Sequence, residues 1–251
     1  MKEKKKKLNE GKTELSVVGD RTRLCQVKKE PLTFGPNAVP FQTSTKYLGV
    51  HLDETLSMKE QVTDLCRSYY FHFRKIASIR PYLSDESTAQ LVSTLILSRL
   101  DYCNSTLSGP PSCLLNRLQK VQNNAARLVL YKRKSDRVTP LLEKLHWLPV
   151  EARIHYKIAT LAFRHFENSP PPYLSELLHT YQPSRALRSS SEKLLEVPKT
   201  NLKSAGNRFF HFQAAKIWNS LPTNVHSSPS LSPFKKNLKT HLFKKRFSLG
   251  L

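Results

Sequence analysis

Apolar positions along this chain follow two different periods. Through residue 53 they come in short alternating runs cut by proline and glycine; from residue 58 onward they recur at three- and four-residue steps. Period two belongs to strands and period 3.6 to helices, so the pattern predicts a small β region followed by a long helical one. The sharpest alternation is 46–53, where Leu48, Val50 and Leu52 interleave with Gly49, His51 and Asp53. It predicts one half-buried strand that closes a sheet. Residues 15–18, 24–27 and 32–34 predict three shorter strands ahead of it, the first ending at Gly19 and the last before Gly35-Pro36-Asn37. Beyond the strand, Ser57-Met58-Lys59-Glu60 has capping-box spacing: the hydroxyl caps a new helix and the glutamate reaches back.

The first helix is predicted over 58–79, stopped by Pro81, with Val62, Leu65, Cys66, Tyr69, Phe73 and Ile76 on one stripe. A second starts after Ser84, with Asp85 and Glu86 against its N-terminal dipole. From Ala89 to Leu100 it is apolar nearly all round, which places it at the centre of a bundle. Ser112 is expected to cap a third helix, striped by Leu114, Leu118, Val121, Ala125 and Leu128 and continuing into Tyr131-Lys132-Arg133-Lys134. Thr139-Pro140 opens a short helix that Trp147-Leu148-Pro149 closes. A fifth covers 150–166, with Ile154, Ile158 and Leu161 on one side. Leu91, Leu95, Leu118, Val121, Ile154 and Ile158 are the expected deep core.

Asn168-Ser169-Pro170-Pro171-Pro172 reads as a linker, and 182–207 as irregular chain. A helix follows over 208–221, with Phe210, Ala214, Ile217, Trp218 and Leu221 in register. The last helix starts at Ser232-Pro233 and sets Phe234, Leu238 and Leu242 against Lys235, Lys236, Lys239, Lys244, Lys245 and Arg246. The fold class is therefore mainly α: a small mixed β region, an antiparallel helical region and a looser helical C-terminal extension. The corresponding domains are 1–53, 54–167 and 168–251.

Charge narrows the choice of partner. The 251 residues carry 41 Lys and Arg against 19 Asp and Glu, a net charge of +22, which calls for a polyanion. On the third helix Arg117, Lys120, Asn124 and Arg127 share a face away from the apolar stripe, continued by Lys132, Arg133 and Lys134. These, with Lys235, Lys236 and Lys239 of the last helix, are the candidate phosphate contacts for RNA, DNA or a hybrid duplex. An anionic membrane surface is the alternative for the basic last helix, whose narrow apolar face fits docking onto the preceding helix better. No apolar run is long enough to form a transmembrane segment. The lysine-rich start leads into polar residues rather than a signal-peptide core, so an intracellular site, nuclear or cytoplasmic and not secreted, is expected.

Other chemistry is sparse. Cys25, Cys66, Cys103 and Cys113 have no zinc-ligand spacing and read as buried thiols. No phosphate-cradling glycine loop and no nucleophile–base arrangement is present. The run Tyr69-Tyr70-Phe71-His72-Phe73 reads as core packing because Tyr69 and Phe73 lie on the apolar stripe, with base stacking as the functional alternative. No cofactor is expected.

The ordered motifs add a family. Leu8-Asn9-x-x-Lys12-Thr13-Glu14 and Lys46-Tyr47-Leu48-Gly49-Val50-x-Leu52-Asp53 resemble late palm segments of LINE-type (non-LTR, CR1/L2-like) retrotransposon reverse transcriptases. Segments downstream of that polymerase core are matched by Ser98-Arg99-Leu100-Asp101-Tyr102-Cys103-Asn104, Leu118-Gln119-x-x-Gln122-Asn123 and Leu145-His146-Trp147-Leu148-Pro149-Val150. Ser184-Arg185-x-Leu187-Arg188-Ser189, Trp218-Asn219-x-Leu221-Pro222 and Phe234-Lys235-x-x-Leu238-Lys239 continue the series. The resemblance implies a palm remnant in 1–53, a thumb in 54–167 and the element's basic extension in 168–251, with Lys12 at the family's nucleotide-proximal position. The family uses Mg²⁺ held by aspartates upstream of the Lys-Thr-Glu segment. The residues before Lys12 contain none. Two-metal phosphoryl transfer needs those carboxylates, so a truncated, catalytically inactive fragment that retains nucleic-acid binding is expected. The strand at 46–53 and the first helix also resemble a segment of an AlkB-like tRNA-modifying family. That would imply iron/2-oxoglutarate oxidation or tRNA methylation, with His51 and Asp53 as ligands and His72, His146, His155 or His165 as a third. Helices follow at once where that family requires a many-stranded jelly-roll.

Overall fold

A computed structural model describes residues 13–34, 37–167, 170–182, 193–199 and 206–247. The chain is mainly α, and its strands pair as two small antiparallel hairpins. It divides into two compact units, Met1–Asp64 and Leu65–Leu251. The division falls inside the first long helix.

In the first unit, Asp20 accepts the Thr22 amide at 3.4 Å and caps a short helix, α1 (Arg21–Leu24). The strand expected at 24–27 is thus replaced by a helical turn whose buried residue is Leu24. Leu15 makes an isolated bridge to Phe41. β1 (Leu32–Phe34) pairs with β2 (Asn37–Val39), and β3 (Ser44–Tyr47) with β4 (Val50–Asp53). The second pairing corrects the single strand expected over 46–53. Leu48 and Gly49, at φ 47° and 81°, form a two-residue turn between Tyr47 and Val50. Positive φ at both central residues is what a tight hairpin of this kind requires. Leu48 therefore points outward at 73% exposure, while Val50 is buried.

The exit from β4 is organised by Asp53. Its carboxylate accepts the Thr55 hydroxyl at 2.7 Å and the amides of Ser57 and Met58 at 3.0 Å. Helix α2 (Lys59–Ile79) follows, with the Ser57 hydroxyl accepting the Lys59 amide. The capping-box reading is corrected accordingly, because the Ser57 amide donates to Asp53 instead of Glu60. The apolar stripe of α2 is as expected for Val62, Cys66, Tyr69 and Ile76, all buried; Leu65 and Phe73 are half-buried.

The second unit continues with a 3-10 turn (Arg80–Tyr82) and then α3 (Asp85–Val92), a π turn (Ser93–Leu97) and α4 (Ser98–Asp101). Ser84 caps α3 through the Ser87 amide at 3.1 Å. This stretch is not central. Leu91 and Leu95 are half-buried, and the buried line is Thr88, Val92, Ile96 and Leu100, one residue later. Ser93, Thr94, Ser98 and Arg99 face solvent.

Helix α5 (Ser112–Val129) has Pro111 at its cap position, so Ser112 is its first helical residue rather than its cap. Then come α6 (Thr139–Lys144) and α7 (Val150–His165). The central helix is α7, which packs against α5, α8 (Pro172–Leu177), α9 (Phe210–Asn219) and α11 (Leu231–Phe247). A short α10 (Thr223–His226) links the last two. Ala159 and Ala162 on α7 and Ala214 and Ala215 on α9 are fully buried; small side chains there let the backbones approach closely. Phe163 stacks on Phe234 at 4.3 Å, and Trp218 stacks between Phe166 at 5.0 Å and His226 at 4.5 Å. Leu118, Val121, Ile154 and Ile158 are buried as expected; Leu128, Leu161 and Phe210 are only half-buried.

Candidate nucleic-acid interface

The basic face of α5 is positioned from both ends. Its core side is set by Leu114, Leu118, Val121, Ala125 and Val129, all buried. Helical spacing then turns Lys120 to solvent with Arg117, Asn124 and Arg127 at the flanks, half-buried. At its C-terminal end the buried Arg80 donates to the Leu128 and Val129 carbonyls at 2.9 and 2.8 Å. The same guanidinium donates to the Leu83 carbonyl and pairs with Asp85. A cation placed on the last carbonyls of a helix satisfies orphan acceptors and complements the dipole.

The helix does not run on through residue 134, as the sequence pattern suggested. Tyr131 takes φ 53°, its amide reaches Leu128 O, and the Lys132 amide reaches Arg127 O at 2.9 Å. That is a Schellman stop, usually built with glycine. Here a tyrosine occupies the left-handed position, and the Arg80 guanidinium lies 5.0 Å from its ring centre. The turn beyond is fastened by Asp136, which accepts the Arg133 amide at 2.8 Å and offers its carbonyl to Arg127 at 3.1 Å. Lys132, Arg133 and Lys134 are therefore exposed on a turn with a defined shape. Arg127 is spent largely on holding that turn. The exposed basic side chains that remain as candidates are Lys120 and Lys132 to Lys134, with Arg117 half-buried beside them.

Lys235 on α11 is half-buried, and Lys236 and Lys239 are exposed. The apolar line of this helix, Phe234, Leu238 and Leu242, is buried in the helical unit, with Phe234 on Phe163 of α7. Lys12 and the 184–189 motif lie outside the described residues. No described helix is long and apolar enough to cross a membrane.

Several motif residues turn out to be internal fasteners. Arg153 pairs through two nitrogens with Asp101, one of them at 2.7 Å. Gln122, fully buried, donates to Leu148 O at 2.8 Å, and Gln119 accepts the Val150 amide at 2.9 Å, capping the start of α7. Asn219 brackets Leu195, accepting its amide at 2.9 Å and donating to its carbonyl at 2.8 Å. The Trp218 indole donates to Lys193 O.

The His-x-Asp pair is committed locally. Partial burial raises the Asp53 pKa, but the bonds from Thr55, Ser57 and Met58 outweigh it and hold the carboxyl below its ordinary value. The His51 amide donates to Gln61 at 2.9 Å, and its ring lies 3.9 Å from Asp64. Among the described residues no three His, Cys, Asp or Glu side chains could hold a metal ion together. Of the cysteines only Cys66 is buried, which raises its thiol pKa; Arg117 nearby acts in the opposite direction. Cys103 is half-buried, and Cys25 and Cys113 are exposed, contrary to the expectation of buried thiols. All four are free.

Arg80, Tyr131 and Asp136 were not singled out by the sequence pattern. Arg80 adjoins Pro81 at a helix stop, a position that hints at carbonyl capping. Nothing in the sequence marks Tyr131 as left-handed. No protein-family model, curated protein or solved structure matches the chain.

Proposed function

We propose that the helical unit is a sequence-tolerant nucleic-acid-binding module, of the kind that forms the thumb and basic extension of LINE-type reverse transcriptases. The observation that carries the reading is the exposed basic turn Lys132-Arg133-Lys134, braced from behind by Arg80, Arg127 and Asp136, with Lys120 exposed on the helix that leads into it. Phosphate contacts need charge and reach, and a braced turn supplies both at low entropic cost. The net charge of +22 favours the same partner. The ordered motifs add support because two of them are also partners in space, as a shared scaffold requires: Gln119 and Gln122 with the 148–150 segment.

Binding is expected at a dissociation constant on the order of 10⁻⁴ to 10⁻⁶ M at physiological salt, falling steeply as salt rises. Replacing Lys120, Lys132, Arg133 and Lys134 by glutamine should weaken binding evenly across RNA and DNA sequences. It should also flatten the dependence of log affinity on log salt, because fewer counterions are released. An unchanged affinity and slope would reduce the cluster to a solvated surface.

A further inference from the structure

The outward face of α2 carries side chains that a merely solvated helix has no use for. Its core contacts are made by Val62, Cys66, Tyr69 and Ile76. On the opposite side Arg67, Phe71 and Arg74 follow one another at helical spacing, with Tyr70 and Lys75 beside them. Phe71 is 56% exposed, and Tyr82, in the turn that ends the helix, is 88% exposed. The Lys75 ammonium sits 5.1 Å from the Phe71 ring centre. From Leu65 to Tyr82 the sequence contains no carboxylate. The face is thus cationic and aromatic at once, and the nearest acid along the helix is Asp64, one turn before Arg67. Beyond the end of the helix the buried Arg80 reaches the Tyr131 ring and the last carbonyls of α5.

We infer that this face is a track for single-stranded nucleic acid, with bases stacking on Phe71 and Tyr82 and phosphates held by Arg67, Arg74 and Lys75. Charge selects a polyanion. The rings select an unpaired strand, because bases in a duplex are already stacked on one another while those of a single strand present open π-faces. Stacking tolerates any base, in keeping with a surface that offers no base-edge reader beyond its cations. The inference rests on the nucleic-acid reading above but uses different residues and a different strand class.

The test uses the full chain with fluorescein-labelled oligouridine and oligothymidine of about 20 nucleotides, longer than the site of a single stacking platform, and a duplex of equal length. Phe71→Ala combined with Tyr82→Ala should cut single-strand affinity roughly tenfold or more, in line with other base–aromatic contacts. Duplex affinity and its salt slope should stay as in the parent. Phe71→Leu with Tyr82→Leu, which keeps apolar bulk without π-faces, should lose as much. A ratio of uridine to thymidine affinity near one assigns backbone and base faces as the recognised parts; a strong preference for one sugar overturns the stacking account. Retained single-strand binding in the alanine variant overturns the track while leaving the basic turn standing. Loss of binding to every probe in the parent overturns both readings. If the parent self-associates in sedimentation velocity and the alanine variant does not, the face belongs to a second copy of the chain, and the track is overturned.

Discussion

Arg80 is the residue on which the helical unit turns. A single side chain joins the end of α2, the start of α3 and the last turn of α5, through three carbonyls and one carboxylate. Its ion pair contributes little by itself, because Asp85 is 60% exposed and well screened. The carbonyls matter more, since removal of the donor leaves acceptors of α5 without a partner. Arg80→Met is therefore expected to lower stability by about 2–3 kcal/mol in urea unfolding. Arg80→Lys should recover only a small part, because one ammonium cannot reproduce a planar fork that meets oxygens on three sides. Full recovery by lysine would show that charge, rather than the fork, is what the site needs.

At the scale of elements, α7 and its neighbours carry a pH response distinct from that of the hairpin exit. Burial depresses the pKa of His155 and His165 on α7 and of His241 on α11. Lys216 and Lys245 push His155 further down while Glu151 opposes them; Lys245 also acts on His241, and His179 on His165. A histidine held below its unfolded value near 6.5 contributes stability that is complete above that pH and is lost as pH falls towards the folded value. Asp53 lies below its ordinary value, so its contribution is complete above about pH 4 and is lost only on further acidification. The urea midpoint of the helical unit should thus fall between pH 7.5 and 5.5, while hydrogen-exchange protection of β3 and β4 stays level over that interval. A flat midpoint would mean that these imidazoles titrate as freely as in the unfolded chain. Element types were readable because burial imposes a period: α2, α5, α7 and α11 show their stripes plainly. The π turn at 93–97 was not readable, since a local change in helical winding leaves the composition unaltered, and the buried line, Thr88 and Val92 continuing to Ile96, is set before the turn begins. Residues 46–53 misled for a related reason. Gly49 fits an alternating pattern as well as it fits a turn, and only the pairing of Tyr47 with Val50 distinguishes them.

For the whole molecule, the mainly α architecture and the basic face were legible because both follow from segregating apolar from charged positions on a cylinder. The bracing of that face was not, because its partners are backbone oxygens 48 and 49 residues from Arg80 in sequence. The aromatic run of α2 was legible only as two alternatives, core packing or base stacking: its five consecutive rings send some inward and some outward, and periodicity credits the inward set. The fasteners that tie α5 and α4 to α7 have a further consequence. Gln119, Gln122 and the Asp101–Arg153 pair all cross from one side of the basic turn to the other. Continuity of the chain at that turn is therefore expected to be dispensable once folding is complete. A site-specific protease sequence inserted between Arg133 and Lys134, cut in the folded protein, should give two bands on a denaturing gel and a single particle of parental size in native chromatography. Dissociation of the pieces would mean that these cross-ties hold only with the help of the covalent link. Two halves that stay together without one can be prepared apart, given different isotopes or dyes, and rejoined, so that the basic turn becomes a seam.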